Sequence, residues 1–220
     1  MNKFLIISSI VLCTNLVKAQ QQTVQEVKNP PVVVETLFGN EGYAGQMTVN
    51  KSFRSIPQLG IFSVTNMSSK WNEKDSKDMM NQIHLTYQLA KGFKVLAGTH
   101  YTPNSGLRPN AAVMYSYSSK EFLLTVMPRI DLSNNANWEG FALVEYKPQF
   151  NENWSLYTRA QGLYCATINN GDHARSYLML RAGVSYKEFR FGLGANWDAY
   201  GPAKTTKENY GIFLAANVFD

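Results

Sequence analysis

The sequence predicts an all-β chain: a transmembrane, up-and-down antiparallel β-barrel of about twelve strands, with ten as the alternative count. Three observations predict it. Nearly everything after Pro31 alternates apolar and polar residues with period two, broken by turn residues. Beyond the N-terminal segment, no apolar stretch approaches the roughly 18 residues of a membrane helix. Aromatic residues recur on the apolar face at a separation that matches the apolar band of a bilayer.

The N-terminus reads as an export signal. Met1-Asn2-Lys3 is a short positive stretch, Phe4 to Val17 is mostly apolar, and Val17-Lys18-Ala19 puts small or modest residues where a signal peptidase reads. Cleavage is expected after Ala19. Cys13 does not make a lipoprotein signal, because Leu12 precedes it where a small residue is needed and the site lies inside the apolar run. The expected organisation is a signal peptide over 1–19, a polar periplasmic lead-in over 20–31 that ends Asn29-Pro30-Pro31, and a barrel over 32–220. Loss of Lys3 and Lys18 leaves 19 basic against 16 acidic residues, a mild net charge of +3. No basic cluster is interleaved with aromatics, so no nucleic-acid partner is expected. Cys165 alone remains after cleavage, which excludes an internal disulfide framework.

The strands follow in order. Alternation and turn residues place them at 32–38, 45–53, 59–67, 82–89, 93–101, 111–118, 121–131, 139–147, 154–167, 176–187, 189–199 and 210–219. The pattern is clearest late in the chain, where Phe189, Phe191, Leu193, Ala195 and Trp197 alternate with Arg190, Gly192, Gly194, Asn196 and Asp198. It is weakest in the first strand, which is included partly because an odd count would leave the two termini at opposite ends. Short connections are expected at 55–58, 90–92, 119–120, 148–153 and 187–188. Long polar ones are expected at 68–81, 102–110, 169–175 and 200–209, the short-turn, long-loop rhythm of an outer-membrane barrel.

Phe93 and Tyr101, Trp138 and Tyr146, and Phe189 and Trp197 are each eight residues apart on one strand; Trp154 and Tyr164 are ten apart. At about 3.3 Å per residue and a tilt near 40°, these separations span roughly 20–25 Å along the membrane normal. Amphipathic rings prefer the headgroup level on either side of the hydrocarbon, so these eight residues are the expected membrane-interface aromatics. The opposite face then turns inward. Its candidate lumen-lining residues are Lys94, His100, Arg129, Asp131, Glu139, Glu145, Lys147, Arg159, Arg181, Arg190 and Asp198, joined by Arg54, His84 and Lys187. Gly98, Gly183, Gly192 and Gly194 share that face.

With these features the chain resembles the small outer-membrane β-barrel proteins of Gram-negative bacteria, particularly those whose signal peptide ends in Ala-Gln, as Ala19-Gln20 does here. The resemblance is one of layout and covers the signal and the whole barrel. Such barrels finish in a terminal recognition strand; Asn209, Gly211, Leu214, Ala216 and Phe219 fit its spacing, while the chain departs from it by ending in Asp220. The resemblance implies outer-membrane localisation, contact with outer-membrane lipid and lipopolysaccharide, and passage through the barrel-insertion machinery.

Three readings of function follow. The first is a narrow passive channel for small polar solutes through a charged lumen. The second is a plugged structural or accessory barrel with an envelope protein as partner. The third is a lipid hydrolase, because outer-membrane phospholipase A is similar in strand number. The nearest counterpart to that enzyme's His and Ser is His100-Tyr101-Thr102 with Asn104-Ser105, but Thr replaces Ser and His100 points inward by parity. No catalytic role is therefore assigned. His84, His100 and His173 show no metal spacing, and no phosphate-binding glycine loop occurs, so neither metal nor cofactor is expected. The charged stretch from Ser69 to Met80 reads as a solvated outer loop whose Lys70, Lys74 and Lys77 face lipopolysaccharide phosphates.

Overall fold

A computed structural model describes residues 28–72 and 78–219. The expected signal peptide, most of the lead-in, Lys74, Lys77 and Asp220 lie outside the described residues. Twelve strands run in chain order: β1 (Val32–Gly39), β2 (Gly42–Ser52), β3 (Leu59–Lys70), β4 (Asp78–Ala90), β5 (Phe93–Thr102), β6 (Gly106–Ser118), β7 (Phe122–Asp131), β8 (Asn137–Tyr146), β9 (Trp154–Thr167), β10 (His173–Tyr186), β11 (Phe189–Tyr200) and β12 (Thr205–Val218). Each pairs antiparallel with its sequence neighbours, and β1 closes onto β12 from Val32↔Val218 to Gly39↔Gly211. Closure leaves no open sheet edge through the body of the barrel, the condition a β-structure must meet to sit in hydrocarbon. Below, "base" means the end where β1 starts and β12 finishes, and "mouth" the opposite end.

Val32 to Phe38 does form the first strand, despite its poor alternation. Glu35 and Leu37 are buried while Val34 and Phe38 are exposed, so the two faces are distinct even there. Just before it, Asn29 pairs with the end of β2: its Nδ2 donates to Ser52 O at 3.0 Å and its Oδ1 accepts from Ser52 N at 2.6 Å.

The connections differ from the sequence expectation. Mouth loops are short: β5–β6 turns through 103–105, β11–β12 through 201–204, and β9–β10 through 168–172. The polar stretches expected as long loops instead continue the ladders, since β6 begins at Gly106, β10 at His173 and β12 at Thr205. A ladder is held by backbone hydrogen bonds and tolerates polar side chains on both faces once it stands clear of the apolar band. Side-chain alternation therefore marks where a strand crosses that band, and not where the strand stops.

Two buried apolar clusters lie on the inward face, where polarity alone was expected. One joins Phe62, Val64, Leu96, Ala112, Met114 and Met127, with Met80 and Phe141 against it. The other joins Leu37, Tyr157, Phe213 and Ala215. Leu37 reaches from β1 over Gly194 on β11, where an added Cβ would stand 2.8 Å from Leu37 Cδ1. The outward face is a continuous apolar surface of residues such as Ile83, Leu85, Val113, Leu193, Ile212 and Leu214.

Candidate functional site

The interior is the candidate site, and its side chains fall into four tiers. Nearest the base, Glu145 accepts from Tyr157 Oη at 3.0 Å and from Lys147 Nζ at 2.9 Å. The Arg190 guanidinium lies 4.9 Å from the centre of the Tyr157 ring and donates to Asn217 Oδ1 at 2.8 Å. Lys94 reaches Asn50 Oδ1 at 3.4 Å. Lys147 stands one residue past the end of β8. Arg54 is not on the inward face at all: it sits exposed in the β2–β3 turn, because β2 ends at Ser52. Lys187 likewise occupies the β10–β11 turn, with φ of 52°.

Midway, Glu35 joins two guanidiniums from β10 and β9, three and four strands round the closed barrel. Arg159 Nη2 on β9 donates to its Oε1 at 2.7 Å, and Arg181 Nε on β10 donates to the same oxygen at 2.9 Å. All three are at least 95% buried. Arg181 has further acceptors in Leu180 O, Ala195 O and Asn196 Oδ1, and it stacks over Phe213. Among the described residues, Arg159 Nε and Glu35 Oε2 have no hydrogen-bond partner. The result is one carboxylate between two cations, held across the interior by β1.

Above this tier, two charge pairs and an amide pair fill one side. Arg129 Nη2 donates to Glu139 Oε2 at 2.7 Å and Nη1 to Gln82 Oε1 at 3.1 Å. Arg108 reaches Asp131 at 3.3 Å, with His100 Nδ1 3.5 Å from the same carboxylate. His84 Nε2 donates to Asn110 Oδ1 at 2.6 Å. These two residues sit on β4 and β6, and they meet because Gly98 on the strand between has no side chain: an added Cβ would stand 2.0 Å from Ile83 O and 2.9 Å from the His84 ring. Thr102 Oγ1 bonds Ser105 Oγ at 2.6 Å. Among the described residues no three His, Cys, Asp or Glu gather where a metal ion would bind.

At the mouth, Tyr200 Oη donates to Asp78 Oδ2 at 2.8 Å and stands 3.3 Å from Asp198 Oδ1. Arg175 binds Asp198 at 2.7 Å and Lys207 binds Asp78 at 3.3 Å. This network borders a cavity of about 780 Å³. A smaller cavity beneath it, about 40 Å³, shares Ala44, Ser68, Asp78, Asn196 and Asp198 with the first and reaches down to Glu35 and Arg181.

The eight aromatics singled out in the sequence lie on the outward face. Their ring contacts, with neighbours, form two sets: Trp138–Tyr164, Trp197–Tyr210 and Tyr43–Trp71 toward the mouth, and Phe93–Tyr115, Tyr117–Phe122 and Trp154–Tyr186 toward the base. Tyr101 is exposed near the mouth, and Tyr146 and Phe189 are exposed near the base.

A closed barrel of twelve antiparallel strands encloses these tiers. The fold is similar to that of a solved porin. The NanC porin superposes with a TM-score of 0.54 at 13% identity, covering 86% of this chain and 100% of that one. The KdgM porin gives a TM-score of 0.45 at 10% identity, covering 86% and 99%. No family model and no curated protein sequence matches the chain.

Sequence reasoning missed several interior residues. Glu35 was hidden by the weak alternation of β1, although Val33, Glu35 and Leu37 share one parity. Gln82, Gln161 and Asn196 lie on the inward parity of strands already recognised, and only the restriction to charged candidates passed over them, whereas Asn110 fell in a stretch read as a loop. Asp78 and Tyr200 fell in stretches read as loops.

Proposed function

We propose that the chain is an outer-membrane channel for small polar solutes, exported by the signal segment at 1–19 and inserted with its base in the periplasm. The observation that carries this reading is the polar path from the mouth cavity down to Glu35 and Arg181. The two outward aromatic sets mark the membrane interfaces, with Phe93, Tyr146, Trp154 and Phe189 on the periplasmic side and Tyr101, Trp138, Tyr164 and Trp197 on the outer side. Of the charged inward residues, Arg181, bound with Arg159 to Glu35, stands at the lower end of that path. Solute passes as the Glu35 contacts exchange with water, and selectivity follows the charge of that passage.

Single-channel conductance of the refolded mature chain in a planar bilayer tests this. Discrete steps are expected, with ion selectivity that shifts toward cations in Arg159→Glu and Arg181→Glu. A folded barrel that gives no steps in either form defeats the channel reading.

A second reading, a plugged accessory barrel, is favoured by one observation: the buried apolar clusters around Phe62 and Phe213 occupy inward positions that an aqueous path would wet. Silence in the bilayer, together with recovery of a stable envelope complex after gentle extraction, supports it. Lipid hydrolysis fits poorly, since Thr102 bonds Ser105 and His100 faces Asp131 inside the barrel.

A further inference from the structure

The barrel wall is notched at the mouth. β12 pairs with β1 only from Gly211 to Val218, so among the described residues Thr205–Tyr210 have β11 as their one strand neighbour. The β1–β2 turn clamps the foot of this stretch: Asn40 N donates to Tyr210 O at 2.9 Å, Tyr210 N donates to Asn40 Oδ1 at 2.8 Å, and Asn209 Nδ2 donates to Gly42 O at 3.1 Å. Above the clamp, Thr205–Glu208 are exposed. On the other flank β3 runs up to Lys70, which pairs with Gly42. The cavity of about 780 Å³ at the mouth borders this gap, with Thr205–Glu208 on one flank, Ser69 on the other, Asn196, Asp198 and Tyr200 at its back, and Asn104 of the β5–β6 turn across the mouth.

The sill below the notch is aromatic on its outer side. Trp71 Nε1 donates to Gly39 O at 2.8 Å and its ring contacts Tyr43, while Trp197 Nε1 donates to Tyr210 Oη at 3.0 Å. Those rings belong to the mouth-side aromatic set, which places the gap at headgroup level, just above the hydrocarbon. The lining carries four carboxylates, Glu41, Asp78, Asp198 and Glu208, against three cations, the ammonium groups of Lys70 and Lys207 and the Arg175 guanidinium bound to Asp198. That balance repels a phosphate. Hydroxyls, amides and tyrosine rings make up most of the remainder, and they suit a group that both donates and accepts hydrogen bonds and offers C–H faces to a ring.

We propose that this notch takes, sideways from the outer leaflet, the uncharged sugar headgroup of a membrane-embedded amphiphile, with the apolar tail left outside the aromatic sill. The proposal rests on the barrel crossing a membrane with its mouth outward, and it does not require an open lumen.

The test uses the refolded mature chain in a sugar-free detergent, with native mass spectrometry to count retained molecules. Dodecyl maltoside, dodecylphosphocholine and free maltose are titrated in turn. One dodecyl maltoside is expected to be retained at least about tenfold more tightly than dodecylphosphocholine or maltose, a difference of one decade in Kd. Thr205→Trp, which fills the gap from an exposed rim position, is expected to remove that preference, and so is Tyr200→Leu should the first variant fold poorly. Equal retention of the two detergents, or a preference unchanged in both variants, overturns the site. Maltose bound as tightly as dodecyl maltoside overturns the lateral source in favour of a solute from the aqueous side. A barrel that is silent in the bilayer yet shows the preference defeats the channel reading and leaves the notch standing.

Discussion

Replacing Glu35 by Gln probes the centre of the barrel with almost no change of shape. The amide oxygen still accepts from Arg159 and Arg181, so packing and hydrogen bonds survive, but two guanidiniums at least 95% buried lose their shared counter-charge. Removing one partner of a buried ion pair costs about 3–5 kcal/mol. The surviving amide acceptor and Arg181's bonds to Leu180 O, Ala195 O and Asn196 Oδ1 place the expected loss at the lower end, about 3 kcal/mol. At 1.4 kcal/mol per decade, that is roughly a 150-fold fall in the folded-to-unfolded ratio. Arg159→Met behaves differently. It leaves one carboxylate facing one guanidinium, a balanced pair, and puts an apolar side chain beside Tyr157, so its cost is expected below about 1.5 kcal/mol. The assay is urea unfolding of the refolded barrel in lipid vesicles, followed by tryptophan fluorescence and by the mobility shift of unheated samples on a gel. Equal costs for the two variants, or a Glu35→Gln loss under about 1 kcal/mol, refute the reasoning, because they mean that water, and not Glu35, neutralises the arginines.

Other perturbations test the membrane frame and the interior packing. Leu193 and Leu107 are almost equally exposed, at 69% and 67%, but Leu193 sits midway along β11 whereas Leu107 pairs with Tyr101 near the mouth. Arginine at 193 is expected to cost about 2–4 kcal/mol in vesicles and at 107 about 0–1, and matching costs in the same urea titration count against a bilayer around this belt. Gly98→Ala drives a Cβ to within 2.0 Å of Ile83 O, which forces the β4–β5 ladder apart; refolding yield is expected to fall sharply, with a smaller loss for Gly140→Ala, where the nearest atom is 3.8 Å away. Cys165 is buried inside the barrel wall, so a polar thiol reagent is expected to label it only after unfolding, as a colorimetric thiol assay in the presence and absence of denaturant reads directly.

Much of the barrel was legible because a strand has only two faces. Once Phe189, Phe191 and Leu193 are set toward lipid, Arg190 and Asp198 have nowhere to go but inward, and period two carries that decision along each strand. The same arithmetic loses force where the membrane ends. From Thr205 to Asn209 neither face needs to be apolar, so the sequence looks like a loop while the backbone continues as β12. Glu35 illustrates a different loss. Its strand is bounded by valines on both parities, and Val32 is itself buried, so hydrophobicity does not separate the faces. The pairings on its two flanks set Glu35 inward, opposite Gln46 on β2 and opposite Ala215 on β12, a partner 180 residues away in sequence.

Which inward side chains meet is a further step that alternation does not reach. Parity placed Arg159 and Arg181 in the interior, yet their partner is on β1, several strands round the barrel, and that proximity depends on radius and stagger. The apolar clusters follow the same logic. Phe62, Leu96, Met114 and Met127 look misplaced on a polar face when each strand is read alone. Across β3, β5, β6 and β7 they form one patch, opposite the side where Glu35, Arg159 and Arg181 gather. The interior thus holds one apolar patch on β3, β5, β6 and β7 and, across from it, the Arg159–Glu35–Arg181 cluster with the second apolar group of Leu37, Tyr157 and Phe213 beside it. The proposed conduction therefore turns on whether the Glu35 contacts yield to water while the apolar patch stays packed, and conductance in Glu35→Gln set beside its unfolding cost separates those two events.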